Sequence, residues 1–141
     1  MKSYNHITPK ESGQSMVELA LTITILMVLL AGTIDMGRAF FTWLAMRDAA
    51  QEGASYGSIE PCDTAGINTR ISNNLDQMIS PGDYTIQPPT FTPNSTTIGN
   101  TIQIDIYYPN FPITMPFLGA IIGDTIPIHA TVKDTLLETC N

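Results

Sequence analysis

The chain has 141 residues, a length that suits one small domain. Hydrophobic residues make up 43% of the chain, which excludes an intrinsically disordered protein. The formal net charge is −7 and the six Lys and Arg residues form no patch, which argues against nucleic acid as a partner.

The first predicted element is a polar tail, residues 1–13, with the sequence MKSYNHITPKESG. Pro9 discourages a continuous helix here, and Lys2 and Lys10 are the only fixed positive charges among the side chains. We expect this segment to be a short tail that lies ahead of a membrane segment.

The second element, residues 14–57, contains no proline and is predicted to be one long helix. From Leu19 to Arg38 it is mostly apolar over about 20 residues, enough to cross a ~30 Å hydrocarbon layer. Threonine hydroxyls within this stretch can bond back to helix carbonyls. Aromatic residues at 40, 41 and 43 suit the outer membrane–water interface. Asp35 and Arg38 fall near the far end and can pair on one helix face.

The rear half of this helix carries a row of small residues on one side and polar residues on the other. The row recurs every four residues, and we call it the small ridge: Ala45, Ala49, Gly53 and Gly57. Small side chains allow another element to approach closely. The front half of the helix therefore suits lipid, while the rear half suits a protein core.

Residues 58–141 are predicted to form a small head. Ile67, Ile71, Leu75 and Met78/Ile79 follow a helical period, which predicts a short second helix capped by Asp63 or Thr64 and stopped by residues 80–82. Residues 84–87 predict a weak strand, and residues 101–108 and 125–133 alternate as strands. Pro127 marks the last one as an edge strand or a strand start, and an apolar loop, 109–124, precedes it.

The predicted fold class is therefore α+β. A long N-terminal helix packs on a small antiparallel sheet of three or four strands, with one short extra helix. We expect the isoleucine face of the sheet to meet the small ridge. Such a head is small for an independent core, so the long helix is needed to complete it.

No catalytic motif occurs, so we expect neither an enzyme nor a cofactor. Four aspartates are better explained as solvated strand ends and turns than as a Ca²⁺ site: Asp83, Asp105, Asp124 and Asp134. His129 alternates with apolar residues and should point away from the core. Cys62 and Cys140 give only weak support for a metal site. A disulfide between them is the better interpretation if the head is exported, with two free thiols as the alternative.

Gly13, followed after four residues by Glu18 and an apolar helix, resembles the prepilin cleavage motif. In proteins with this motif, a membrane-bound prepilin peptidase cuts after the glycine. The glutamate becomes the fifth residue of the mature chain. The resemblance implies cleavage between Gly13 and Gln14, so that residues 1–13 are a prepilin leader.

More of the chain is similar to TadE-like pilins of the tight adherence (Tad) system. The acidic–x–Gly–Arg pattern of that family is matched by residues 35–38, and its Ala/Glu/Gly-rich continuation by residues 49–54. A strand ending in Tyr108-Pro109, an apolar loop and a final strand also fit. Leu19 departs from the family, in which an aromatic residue often follows the glutamate.

The resemblance implies a type IV pilin-like structural subunit, either a pilin or a pseudopilin, of a Tad surface filament that serves adhesion. The implied partners are prepilin peptidase, other pilin subunits, the inner-membrane assembly platform and, before assembly, membrane lipid. By analogy with type IV pilins, the new amine of Gln14 in one subunit pairs with Glu18 of a neighbour. The alternative is a glutamate favoured only by the helix macrodipole. Asp35 and Arg38 either pair within the helix or bond to neighbouring subunits.

The expected location is a single-pass cytoplasmic membrane protein with the N-terminus inside and the head outside, and then a surface filament or its base. A membrane-anchored extracytoplasmic binding module that does not polymerise is the alternative function. A secreted enzyme is disfavoured, because the apolar run exceeds a signal-peptide core and no small-residue cleavage site clearly follows it.

Overall fold

The computed structural model describes residues 12–115, 119 and 123–140. The first 11 residues of the predicted leader lie outside these ranges. The described residues form the predicted α+β fold, with a long helix, a short helix and an antiparallel sheet. The elements are α1 (Ser12–Gly57), α2 (Thr64–Leu75), β1 (Thr85–Ile86), β2 (Thr90–Thr92), β3 (Thr101–Pro112) and β4 (Thr125–Thr135).

Helix α1 is continuous over 46 residues and ends at Gly57, as the absence of proline predicted. It is already helical at Ser12, the first residue that the structure describes, so the predicted start at Gln14 lies inside the helix. Its threonines bond back to the helix: the hydroxyls of Thr22, Thr24 and Thr33 each donate to the carbonyl four residues earlier at 2.8 Å. These bonds satisfy hydroxyls that otherwise have no water partner in lipid.

Helix α2 begins after Asp63, whose carboxylate accepts a hydrogen bond from the backbone N–H of Gly66 at 2.9 Å. Of the two predicted caps, Asp63 is therefore the one used, and Thr64 is the first helical residue. The predicted apolar face is confirmed at Ile67, Ile71 and Leu75, which are fully buried, but α2 ends at Leu75 and does not continue to Met78 and Ile79 as predicted. This face docks α2 on α1.

The sheet is antiparallel, and β3 is its central strand. β1 and β2 pair with successive parts of one edge of β3, and β4 pairs with the other. The predicted strand at 84–87 is present as the two-residue β1, whereas β2 was not individually predicted. Within the described residues β4 is an edge strand, which explains how it accommodates Pro127.

Strand β3 runs to Pro112, so its predicted end at Tyr108 was wrong. The register shifts between Tyr108 and Phe111. Pro109 lies within this irregularity, where its missing N–H breaks no regular ladder bond. Beyond this irregularity, Phe111 is only 4% exposed. Because its burial is favourable, β3 pairs again with β4, with Phe111 opposite Ile126. The apolar loop between β3 and β4 is correspondingly shorter than predicted.

The core lies between the rear half of α1, helix α2 and one face of the sheet. Ile102, Ile104 and Ile106 of β3 are fully buried there. The sheet meets the small ridge of α1 at Gly57, beside Ile102, but at Gly53 the ridge is covered by Ile71 of α2. The small ridge therefore receives two elements rather than the sheet alone, because its missing side chains admit a helix as readily as a strand.

Candidate processing and assembly site

The front half of α1 extends away from the head, and residues 13–30 are all exposed. By length and composition, α1 is able to cross a membrane, which makes it a possible membrane span. An apolar helix exposed on every side is not a stable surface in water. This half of α1 therefore requires lipid or other apolar helices around it.

The predicted processing residues lie at the exposed end of this helix. Gly13 is the second residue of α1, and Glu18 is exposed five residues later, about 7.5 Å along the helix axis. Among the residues that the structure describes, the Glu18 carboxylate has neither a hydrogen-bond donor nor an ion-pair partner. It is thus available to a donor from outside the subunit.

The Gly13–Gln14 peptide bond lies inside the first turn of α1. A protease requires an extended segment, so cleavage there requires local opening of the helix. Glycine is about 1 kcal/mol less favourable than alanine in a helix, and helix ends open most readily. The position of Gly13 therefore makes the bond easier to expose than one deeper in α1.

Asp35 and Arg38 lie where α1 enters the head, and the structure brings them together. Arg38 Nη1 is 3.2 Å from Asp35 Oδ1. The carboxylate, in a residue only 7% exposed, also accepts hydrogen bonds at Oδ2 from the backbone N–H groups of Thr114 (3.0 Å) and Met115 (2.6 Å). Arg38 donates to the Thr114 hydroxyl as well. We call these four residues the Asp35 clasp.

The Asp35 clasp joins α1 to the loop after β3 within one subunit. Sequence reasoning anticipated the Asp35–Arg38 pair but missed the loop, because no local pattern marks a contact 80 residues away. The predicted bonding of Asp35 and Arg38 to neighbouring subunits stays a prediction. Arg38 keeps 45% of its side chain exposed and so retains access to an external partner.

Cys62 and Cys140 form a disulfide, with Cα atoms 5.5 Å apart. The C-terminal segment is held at the same end of the head by the backbone N–H groups of Leu137 and Glu138, which donate to the Ser58 carbonyl at 2.8 and 3.2 Å. The bridge and these bonds together fasten the C-terminus to the end of α1. A disulfide is typical of an exported head.

A polar cluster that the sequence did not reveal links α1 to the start of α2. Tyr56 donates its hydroxyl to Asp63 at 2.8 Å, and the Arg70 guanidinium lies over the Tyr56 ring. The N–H of Gly66, followed by the Tyr56 hydroxyl, lowers the pKa of Asp63 because both donors favour its charged form. Asp63 thereby fixes the turn between the two helices.

The other candidate ligands are dispersed. Within the described ranges, no group of three or more His, Cys, Asp or Glu side chains is arranged to hold a metal ion. Burial raises the pKa of Asp105. Hydrogen bonds from Thr131 and Gln103 and the charge of His129 lower it by more, so the pKa of Asp105 lies below its ordinary value. His129 is exposed, as predicted, and lies 3.3 Å from Asp105 on the outer face of the sheet.

A comparison of the sequence with protein-family models matches most of the long helix to one family. The family model described as TadE-like protein matches residues 13–55. Residues 13–55 are a TadE-like domain. The match begins at Gly13 and contains both Glu18 and the Asp35–Arg38 pair. No curated protein matches the chain, and no solved structure matches it.

The TadE-like domain and the long apolar helix are together consistent with a pilin-like protein associated with the Tad pilus. Pilin-family proteins of this type are structural rather than catalytic. The domain covers nearly all of α1, so it includes both the possible membrane span and the part of the helix that packs in the head.

Proposed function

We propose that this protein is a pilin or pseudopilin subunit of a Tad, type IV-like surface filament that contributes to adhesion. The observation that carries the proposal is the exposed apolar half of α1, which belongs to a TadE-like domain and continues without a break into the core of the head. Lipid covers this helix before assembly, and the helices of other subunits cover it afterwards.

The proposed processing step is hydrolysis of the Gly13–Gln14 bond by prepilin peptidase. Residues 1–13 leave as the leader, and Gln14 acquires a free α-amino group. The mature subunit then consists of the helix, 14–57, and the head, 58–141. An α-amino group with a pKa of about 8 is protonated at neutral pH and is a cation suited to a carboxylate.

In the proposed filament, this amino group pairs with Glu18 of a neighbouring subunit. A carboxylate among packed apolar helices costs several kcal/mol unless it is paired, so the pairing fixes the axial position of each subunit. Glu18 is exposed and lacks a donor among the described residues, which supports this role.

The proposed route begins with the N-terminus inside the cytoplasmic membrane and the head outside, consistent with the Cys62–Cys140 disulfide. The inner-membrane assembly platform then transfers the subunit to the filament or its base, where it meets other pilin subunits.

The processing step is tested by mass spectrometry of the protein from its native host. The expected mature N-terminus is Gln14, and the Gly13→Val variant should retain residues 1–13, because a branched side chain replaces the hydrogen of glycine at the cleaved bond. The Gly37→Ala variant is the matched control and should be cut normally. A wild-type chain that still begins at Met1 would contradict the proposal.

The assembly role is tested by isolating sheared surface filaments from cells that carry Glu18→Ala. We expect filaments to disappear while the protein remains in the membrane fraction. Glu52→Ala removes an exposed carboxylate from the rear half of α1 and is the control that should leave filaments intact. Filaments that still contain the Glu18→Ala protein would contradict the pairing role of Glu18. Wild-type filaments that lack this protein, or no filaments in wild-type cells, favour the non-polymerising membrane-anchored binding module instead.

A further inference from the structure

The loop that follows β3 lies against the apolar half of α1. We call residues 113–115 the loop tip. A Cβ on Gly32 would be 3.5 Å from Sδ of Met115, so the loop tip touches α1 six residues before Arg38, the predicted end of the span. At 1.5 Å per residue this is about 9 Å below that end. The loop tip therefore reaches the level of the outer leaflet.

The three backbone N–H groups of the loop tip all donate to protein acceptors. The N–H of Ile113 donates to the Asp124 carbonyl at 3.0 Å. The N–H groups of Thr114 and Met115 both donate to Asp35 Oδ2. Irregular backbone at membrane depth is tolerated only when its polar groups have protein partners. Three consecutive N–H groups of the loop tip meet this condition.

The surface around the loop tip is apolar. None of the three loop-tip residues is charged. One turn beyond Gly32, along the same side of α1, Met36 is 78% exposed. Arg38, at the outer end of the span, keeps a partly exposed guanidinium, which suits the phosphate of a lipid headgroup.

A groove of about 330 Å³ opens between α1 and the sheet next to the loop tip. Gly32, Ala39, Phe111 and Ile126 are among its lining residues, and Asp35 is the only charged one. Met36 is exposed on α1 and also lines the groove, so the groove opens beside the apolar half of α1 and suits a hydrocarbon chain.

We propose that the loop tip, the exposed Met36 of α1 and this groove form a phospholipid-binding surface that seats the head in the outer leaflet, with an acyl chain in the groove. The proposal rests on the membrane span of the proposed function but not on polymerisation. The surface must leave lipid when the subunit enters a filament, so its contacts oppose extraction from the membrane.

The test uses the full chain in phosphatidylcholine vesicles whose acyl chains carry bromine, which quenches tryptophan fluorescence on contact. Trp43 is the only tryptophan and is first replaced by Phe. In that background, the Met115→Trp variant should lose fluorescence to nearly the same extent as the Leu26→Trp variant within the span. The Lys133→Trp variant, on the exposed side of β4, should remain unquenched.

Quenching of Leu26→Trp without Met115→Trp overturns the lipid-binding surface and leaves the span intact. If neither Leu26→Trp nor Met115→Trp is quenched, the helix does not span the membrane, and the lipid-binding surface is overturned as well. If thermal unfolding shows that Met115→Trp disturbs the head, Ile113→Trp replaces it, since Ile113 is half-buried in the same loop tip. An unquenched probe at residue 113 in a folded head then overturns the proposal as well.

Discussion

Gly57 lies directly beneath Ile102: a Cβ on Gly57 would be 2.5 Å from Cδ1 of Ile102 and 2.9 Å from Cδ1 of Ile67. The last residue of α1 is thus the point at which the long helix, α2 and the central strand all meet. No other residue type fits there without displacing two buried side chains.

Gly57→Ala should therefore destabilise the head, by about 1–3 kcal/mol, because the added methyl group overpacks a filled core. Chemical unfolding of the purified full chain in detergent measures the change. Gly37→Ala is the matched control: a Cβ there meets nothing within 4 Å, so alanine should be neutral or stabilise α1 by up to about 1 kcal/mol. Equal stability of the two variants would show that the Gly57 contact is not tight.

Removal of the Asp35 carboxylate should free the loop tip. In Asp35→Ala the amides of Thr114 and Met115 lose their acceptor, and their hydrogen exchange should accelerate by about tenfold or more. NMR measures the exchange rates of both amides in lipid nanodiscs. The Arg38→Gln variant retains the Asp35 acceptor and should change these exchange rates much less. Unchanged exchange in Asp35→Ala would mean that these bonds do not hold the loop.

The stability of the head should depend on pH through Asp63. Its pKa is lowered in the folded chain, so the ionised carboxylate stabilises the fold above the ordinary value of 3.8. That stabilisation is lost as the pH falls through the lower, folded-state pKa. Asp63→Asn keeps a capping oxygen but cannot ionise.

Melting temperatures should be measured from pH 7 to pH 2.5. Wild type should melt at a higher temperature than Asp63→Asn at neutral pH, and this difference should shrink as the pH falls to 2.5. Asp48→Asn, at an exposed position of α1, is the control and should not reproduce this pattern. A difference that stays constant with pH would argue against the lowered pKa of Asp63.

The disulfide should contribute strongly to stability, because it joins residues 78 positions apart. By the chain-entropy model, a loop of this length is worth roughly 4 kcal/mol. Denaturant unfolding of wild type should shift to lower denaturant on reduction. The Cys62→Ser/Cys140→Ser double variant should match reduced wild type and should not respond to reductant. If oxidised and reduced wild type were equally stable, the prediction that the disulfide stabilises the head would be wrong.

The helices could be predicted because their signals are local. The long stretch without proline predicted α1 up to its end at Gly57, and the spacing of Ile67, Ile71 and Leu75 predicted α2, although not its end at Leu75. The alternating isoleucines likewise defined most of β3. In each case neighbouring residues carry the information, and tertiary contacts only reinforce it.

The remaining features depend on distant partners. β2 is three residues long and is stabilised by pairing with the first residues of β3, so its own sequence carries little periodicity. The end of β3 depends on Phe111 finding a buried place after an irregular register. The Asp35 clasp joins residues 80 positions apart. Cleavage at Gly13 remains a prediction, since a peptidase and not the fold determines it.

The continuity of α1 has a mechanical consequence. Because the helix that leaves the head is also a central element of its core, tension applied at the exposed end is transmitted directly to α2 and the sheet. No flexible linker lies between them to stretch first. The Cys62–Cys140 bridge closes residues 62–140 into one covalent ring, which limits how far the head can extend under that tension.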